Sequence, residues 1–466
     1  MHQFRKKYIG EKDFYLYALS LALPMIIQSL ITNFVSMLDN VMVGQVGTLQ
    51  MSGVSIVNQF IFVFNITIFG GVSGASIFGT QFYGKKDHEG QKYTFRYRLL
   101  MMAILILIGM LVLSLAGDGL IRLFLSEDDA PEMIAQTLAY GKEYLSIIIW
   151  SLIPFGIGQA YCSVVRECGE TRIPMYGSMA AIGVNLFLDY ALIFGKFGCP
   201  QLGVAGAAIA TVIAKCIEAS VVILWAHSHP ERNPYIVGAY RDFFHIPGEL
   251  IRRIVLKSCP LVINEFLWAL GMSVVAQCYS VKGLDVVAAR NIASTLTNLF
   301  SVVYVQFGGA IGIIIGMELG AGRFEQARDR QRQLSVFAVL ITFAVVLCMI
   351  PVGICFPQVY QTEAGIKELA TYFIIVMALV MPVQSYTNAS YFTLRSGGRI
   401  AITFLFDSGF TWLIFIPLAY ILTHRTGLDI RIILPVVTFS EAIKMVIGHL
   451  MVRSDIWVQN IVNDSE

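Results

Sequence analysis

Charge is what this sequence has least of. Asp, Glu, Lys and Arg make up only 14% of its 466 residues, against 56% hydrophobic, and the mean hydropathy is +0.69. A water-soluble domain carries about 25% charged residues, so this chain lacks the polar surface to face water all round. Clustered cysteine is missing too. The eight cysteines (162, 168, 199, 216, 259, 278, 348, 355) form no CxxC pair, which argues against a zinc or disulfide framework. There is no HExxH, and the seven histidines fall mostly in connections or near helix ends, so a membrane-embedded metalloenzyme has no support. A net charge of +2 offers no nucleic-acid surface. The chain opens on the polar "MHQFRKKYIGEKD", so no cleavable signal peptide is expected.

What the sequence does have is apolar runs of about 20 residues, the length that crosses a bilayer as a helix. Twelve spans are expected, at 14–43, 51–82, 97–117, 133–165, 173–195, 204–226, 256–280, 288–320, 334–356, 367–393, 400–422 and 432–452. The expected fold class is an all-α integral membrane protein of twelve transmembrane helices. Lysine and arginine set its orientation. With the amino terminus in the cytoplasm, 23 of them lie on or near that face and 8 on the other. That excess predicts cytoplasmic termini in the cell membrane. The outer loop "LSEDDAPE" is acidic, as this orientation allows.

The chain also reads as two copies of one design. Aligned without gaps, "FGGVSGASIFGTQFYGKK" (69–86) and "FGGAIGIIIGMELGAGRF" (307–324) share six of eighteen positions. Pro24/Pro260, Pro154/Pro382, Arg172/Arg399 and Lys215/Lys444 recur at similar offsets. Six spans per copy is an even number, so both copies enter and leave on one side, as parallel repeats about an axis along the membrane normal. The expected division is an amino lobe over 1–226, a cytoplasmic connection over 227–253 and a carboxy lobe over 254–466, with a cleft between the lobes. The glycine-rich segments lie within helices and lack GK[ST], so close helix packing is expected of them rather than phosphate binding.

Ionisable residues inside apolar spans are costly, about 2.5–3.5 kcal/mol at mid-bilayer, and so direct attention to function. In "VNLFLDYALIFG", Asn185 and Asp189 stand one turn apart on one helix face. At 1.5 Å per residue, Asp39, Asn58, Gln59, Asp189 and Thr211 come to similar depths from the outer side. Carboxylate, amide and hydroxyl oxygens at one level suit sodium, or a carboxylate that carries a proton. In the second lobe Glu265, Asp407 and Lys444 share a level, with Glu441 three residues before Lys444. That cluster reads either as titrating or as a buried neutralising set. Lys215 and Glu218, with the reverse spacing, read as a neutralising ion pair.

The segments "LDNVMVGQVG", "VNLFLDYALIFG" followed by "GVAGAAIATVI", "CPLVINEFLWALG" and the paired glycine-rich pieces resemble the multidrug and toxic compound extrusion (MATE) family over almost the whole chain. The resemblance implies two six-helix lobes around a V-shaped cleft. It also implies export of organic, often cationic, compounds against entry of Na+ or H+, with no other cofactor. Asp39, Asn185, Asp189 and Thr211 match the family's amino-lobe cation or proton site, Pro24 its bending proline in helix 1, and Glu265 its carboxy-lobe glutamate. The family's acidic group on helix 10 has no counterpart here, and Asp407 on helix 11 is the candidate substitute. The expected partners are small organic molecules and the lipid bilayer, for a monomer. A flippase for a lipid-linked or amphipathic substrate is the alternative function. A passive channel does not explain two repeats with separate buried carboxylates, and a receptor that binds without turnover stays an alternative.

Overall fold

The computed structural model describes residues 8–125 and 130–463; residues 126–129 of the acidic outer loop lie outside them. These residues form helices and connections, without a β-strand. The helices are α1 (Lys12–Gly44), α2 (Thr48–Lys85), α3 (His88–Arg122), α4 (Pro131–Glu167), α5 (Arg172–Phe194) and α6 (Val204–Ser228), then α7 (Gly248–Ser280), α8 (Leu284–Gly320), α9 (Phe324–Cys355), α10 (Ala364–Ser396) and α11 (Ile400–His424). α12 comes as two consecutive pieces, Ile430–Phe439 and Glu441–Arg453. Eleven helices are thus long and apolar enough to cross a membrane, and the twelfth expected span is broken at Ser440. Pro435 lies inside the first of these pieces, five residues before Ser440, and removes one hydrogen bond to the carbonyl a turn earlier there. The chain is a multi-pass membrane protein.

Local chemistry sets the ends. Asp87 caps α3 by accepting from the Gly90 N–H at 2.8 Å, and Asp429 caps α12 by accepting from the Arg431 N–H at 2.7 Å. Pro131 opens α4 in the first turn, where its missing N–H costs nothing. Two stretches of α11, Leu405–Gly409 and Thr411–Phe415, are wound as π-helix.

Two compact units emerge. The amino unit comprises Ile27–Gly79 and Asp87–Ser258; the carboxy unit comprises Met1–Ile26, Thr80–Lys86 and Cys259–Glu466. The division therefore runs through α1, two residues after Pro24, and through α2 after Gly79. Each unit has its own apolar core. In the amino unit Val57, Ile68, Met102, Ile121, Ile148 and Leu152 pack together; in the carboxy unit Val275, Ala293, Met349, Phe373, Met381 and Ile433 do so.

The connection between the two repeats is folded onto the amino unit. The Arg96 guanidinium donates to the carbonyls of Ala239 (2.8 Å), His245 (3.0 Å), Gly238 (3.1 Å) and Arg241 (2.5 Å). Tyr235 is fully buried with its ring edge-on to Phe95. One arginine thus gathers four backbone carbonyls of the connection, of which only Ala239 belongs to a buried residue. In the carboxy unit the tail after α12 is equally fixed. Gln81 donates to the Ser396 carbonyl at 3.0 Å and accepts from the Ile461 N–H at 2.9 Å, while Asn460 donates to the Gly320 carbonyl at 3.0 Å. Here the glycine-rich repeats do pack closely. A Cβ on Gly320 would stand 1.9 Å from the Gln81 carbonyl oxygen, and one on Gly84 would stand 2.1 Å from that of Met317.

Candidate functional site

In the amino unit, α1, α2, α4 and α5 bring polar groups to one place. Asp39 on α1 and Asp189 on α5 lie within electrostatic range of each other. Asp189 is 1% exposed, Asn185 one turn before it is 5% exposed, and Asp39 is half-buried. Among the described residues, neither Asp189 oxygen receives a hydrogen bond; the same holds for Asp39 Oδ1, and Asn185 Nδ2 has no acceptor. Tyr144 on α4 feels both carboxylates, and its hydroxyl donates to Asn58 Oδ1 on α2 at 3.3 Å. Asn58 thus faces this group, whereas Gln59, about 100° further round the helix, is exposed. Thr211 on α6 donates to the Ala207 carbonyl of its own helix at 3.0 Å. That leaves its oxygen lone pairs free for a ligand.

Close approach of α5 and α6 positions this set. A Cβ on Gly206 would stand 2.7 Å from the Leu192 carbonyl carbon, so only glycine allows the two backbones to meet there.

Lys215 also acts electrostatically on Asp39, and it is not half of an isolated pair. Its Nζ lies 2.9 Å from Glu218 Oε2, and Glu218 Oε1 accepts from the Ser178 hydroxyl at 2.5 Å. Ser178 in turn accepts from Gln28 Nε2 at 2.6 Å, and Gln28 Oε1 accepts from Arg166 at 2.8 Å. The network runs from the carboxylate site to α1 one turn past Pro24.

The carboxy-unit cluster differs in kind. Asp407 receives Lys444 on Oδ1 at 2.7 Å and Asn264 Nδ2 on Oδ2 at 2.9 Å, and Ser408 donates to Asn264 Oδ1 at 2.7 Å. Glu265 accepts from the Tyr391 hydroxyl at 3.2 Å and has Arg395 as its neighbouring cation. Glu441 lies within electrostatic range of Lys444 and Asp407. Lys444 therefore serves two of the three carboxylates, and Arg395 serves the third. Asp407 is saturated where Asp189 is bare.

Sequence reasoning missed several participants. Tyr144, in "GKEYLSIII", looks like one more aromatic in an apolar span. Asn264 was hidden beside Glu265, although it stands four residues after Pro260 as Gln28 does after Pro24. The π-helical winding that carries Asp407 has no sequence signal, but such turns are frequent at functional sites. A buried ion pair, Arg98–Glu167 at 2.7 Å with 0% and 2% side-chain exposure, joins α3 to α4. Its spacing of 69 residues gives no pattern to read.

Comparison with known proteins supplies the context. A model of the MatE family matches residues 24–191 and 260–421, which is the larger part of the chain. The chain is 22% identical over 413 residues to a probable multidrug resistance protein NorM of Thermotoga maritima, covering 87% of this chain and 84% of that one. It is 25% identical over 368 residues to the probable multidrug resistance protein YoeA of Bacillus subtilis, covering 77% and 76%. Its fold is similar to a crystal structure of MATE in the bent conformation, with a TM-score of 0.84 at 18% identity over 95% of each chain.

Proposed function

The chain belongs to the MatE family, and from that membership together with its amino-unit site we propose that it exports organic compounds by antiport against an entering Na+ or H+. One observation carries the coupling part. Two carboxyl groups, the half-buried Asp39 and the buried Asp189, lie within electrostatic range of each other, and three of their four oxygens lack a donor among the described residues. Two negative charges at that range in a low-dielectric interior repel strongly and have lost their water. A cation or a proton between them removes both costs. For Na+, Asp39 and Asp189 supply the charge, with the amide oxygen of Asn185 and the Thr211 hydroxyl completing a set of hard oxygen ligands. For H+, the pair shares one proton, and the Tyr144–Asn58 hydrogen bond borders it.

Organic substrates are supported by the names of the relatives, multidrug resistance proteins, and by the MatE match. The carboxy-unit cluster supports coupling less well, because Asp407 already has its donors. Coupling needs a route from the ion site to the helices. The network from Lys215 through Glu218 and Ser178 to Gln28 supports one, since it reaches α1 one turn beyond Pro24. Proline leaves a carbonyl unpaired there and lets α1 bend.

If substrate and ion alternate at Asp39 and Asp189, each weakens the other by the same factor, about 5–150-fold for typical coupling energies. The test is efflux of a fluorescent organic cation from proteoliposomes under imposed sodium and pH gradients, with Asp39→Asn and Asp189→Asn beside the native chain. Gradient-driven efflux by the native chain that both variants lose is expected. Near-normal driven efflux by both variants rules out this site as the coupling element.

A further inference from the structure

A cavity that the transport reading leaves unused lies in the carboxy unit, where α9 begins and α12 ends. It measures ≈ 600 Å³, within the size range of small-molecule sites. Its lining is polarised along the helix axes. On α9, Arg328, Arg332 and Val336 succeed one another at four-residue intervals, so they form one stripe that passes from charged to apolar. On α12 the order is mirrored, with Val446 followed two turns later by Arg453 in the last turn. Both helices therefore put arginine at the terminus side and valine deeper. Val336 is 37% and Val446 53% exposed, in keeping with a wall that faces lipid tails.

The charge on the lining is unbalanced. Arg328 is held by Asp455 at 2.9 Å and by Glu325 at 2.5 Å, so it shapes the cavity more than it attracts a ligand. Among the described residues Arg332 pairs only with Asp329 on its own helix, at 3.3 Å, and Arg453 is exposed. Of these acidic partners only Asp455 lines the cavity, beside the three arginines; Glu325 and Asp329 are not part of its lining. A ligand with an anionic head and an apolar tail matches this order. A free anion uses only the arginine end, and an uncharged amphipath only the valine end.

We propose that this cavity binds an anionic phospholipid, with its phosphate on Arg332 and Arg453 and the start of an acyl chain along Val336 and Val446. The arginine-rich ends of α9 and α12 lie on the face that the positive-inside count makes cytoplasmic, where anionic headgroups interact with basic pockets between helices. Arginine suits the role because its planar fork pairs with phosphate oxygens two at a time. The inference is independent of the ion-coupling reading.

The test is native mass spectrometry of the full chain in detergent, titrated separately with phosphatidylglycerol, with phosphatidylcholine of the same chains, and with inorganic phosphate. Two arginines at a membrane surface predict a preference for phosphatidylglycerol over phosphatidylcholine of about tenfold or more. The double variant Arg332→Gln/Arg453→Gln should lose that preference, and Arg332→Lys/Arg453→Lys should keep most of it. Equal affinity for the two lipids overturns the proposal, as does an undiminished preference in a folded glutamine variant. Inorganic phosphate bound as tightly as the lipid assigns the site to free anions and also overturns it. If the glutamine variant does not fold, the native chain decides alone. Its preference must be present and must shrink as salt is raised from about 0.1 to 1 M, because the Debye length falls from about 10 to 3 Å.

Discussion

Replacing Glu167 by glutamine isolates the worth of a buried charge in this fold. The change keeps the side chain's shape and removes its negative charge. Glu167 is the carboxylate 2.7 Å from Arg98, and the two side chains are 2% and 0% exposed. Arg98 Nε and Nη1 have no hydrogen-bond partner among the described residues, so none of them replaces the lost charge once Glu167 is neutral. Arginine cannot shed its proton to escape. Nor does the site have room for an added group. A Cβ at Gly79 would already stand 2.2 Å from Glu167 Oε2 and 2.7 Å from Arg98 Nη2. Breaking a buried pair on one side costs about 3–5 kcal/mol, which is roughly two to four decades in the unfolding constant. Removing both charges together should cost far less, because a buried pair replaced by apolar groups of similar volume is often neutral or better. The assay is denaturant unfolding of the detergent-solubilised protein for the native chain, Glu167→Gln and the double variant Arg98→Met/Glu167→Leu. The single variant is expected to be the least stable of the three. If it matches the native chain, the charge has little worth; if the double variant falls as far as the single, packing rather than charge governs the site.

Three further outcomes are expected. Gly320→Ala places a methyl group against the Gln81 carbonyl, and should destabilise by about 1–3 kcal/mol as overpacking does, visible as a lower melting temperature; an unchanged melting temperature means that α2 and α8 can separate freely there. Lys444→Met alone leaves Asp407 with only Asn264 as donor and should lower both stability and transport, while Lys444→Met/Asp407→Asn should recover most of each in melting and vesicle assays; a double variant as inactive as the single gives the pair a direct part in transport. Cys168, in the turn between α4 and α5, is buried, its thiol accepts from the Gln91 amide at 3.2 Å, and burial pushes that thiol up to about 12. Since burial disfavours the thiolate, the reactive fraction near pH 7 falls to about 10⁻⁵. Peptide mapping after N-ethylmaleimide should find Cys168 unmodified in the folded protein and modified after denaturation; rapid labelling in the folded state contradicts its burial.

The sequence by itself determined the solvent and the helices. So few charges in so long a chain leave apolar runs that only a bilayer accommodates, and helix hydrogen bonds are local, so eleven spans appear where expected. Three of them, α3, α7 and α9, begin at His88, Gly248 and Phe324, well before the expected 97, 256 and 334, because their polar first turns continue the helix beyond the apolar run. The repetition of Pro24 in Pro260 and of one glycine-rich segment in the other was legible for the same reason, since each is a pattern along the chain. It also reached the carboxylates, because an aspartate in an apolar run is conspicuous wherever the run ends up. Only the tertiary structure decided which polar groups meet. Asp39 finds Asp189 and Tyr144, Asp407 finds Asn264 across 143 residues, and Arg98 finds Glu167 across 69. Depth counting put Asn58 and Gln59 at one level, but rotation about α2 separates them, and rotation is fixed by what packs against the helix. The π-helical turns of α11 and the break in α12 at Ser440 likewise have no counterpart in the apolar pattern that marks the spans. Whether a buried charge is bare like Asp189 or saturated like Asp407 depends on donors from other helices, and no spacing along one helix encodes them.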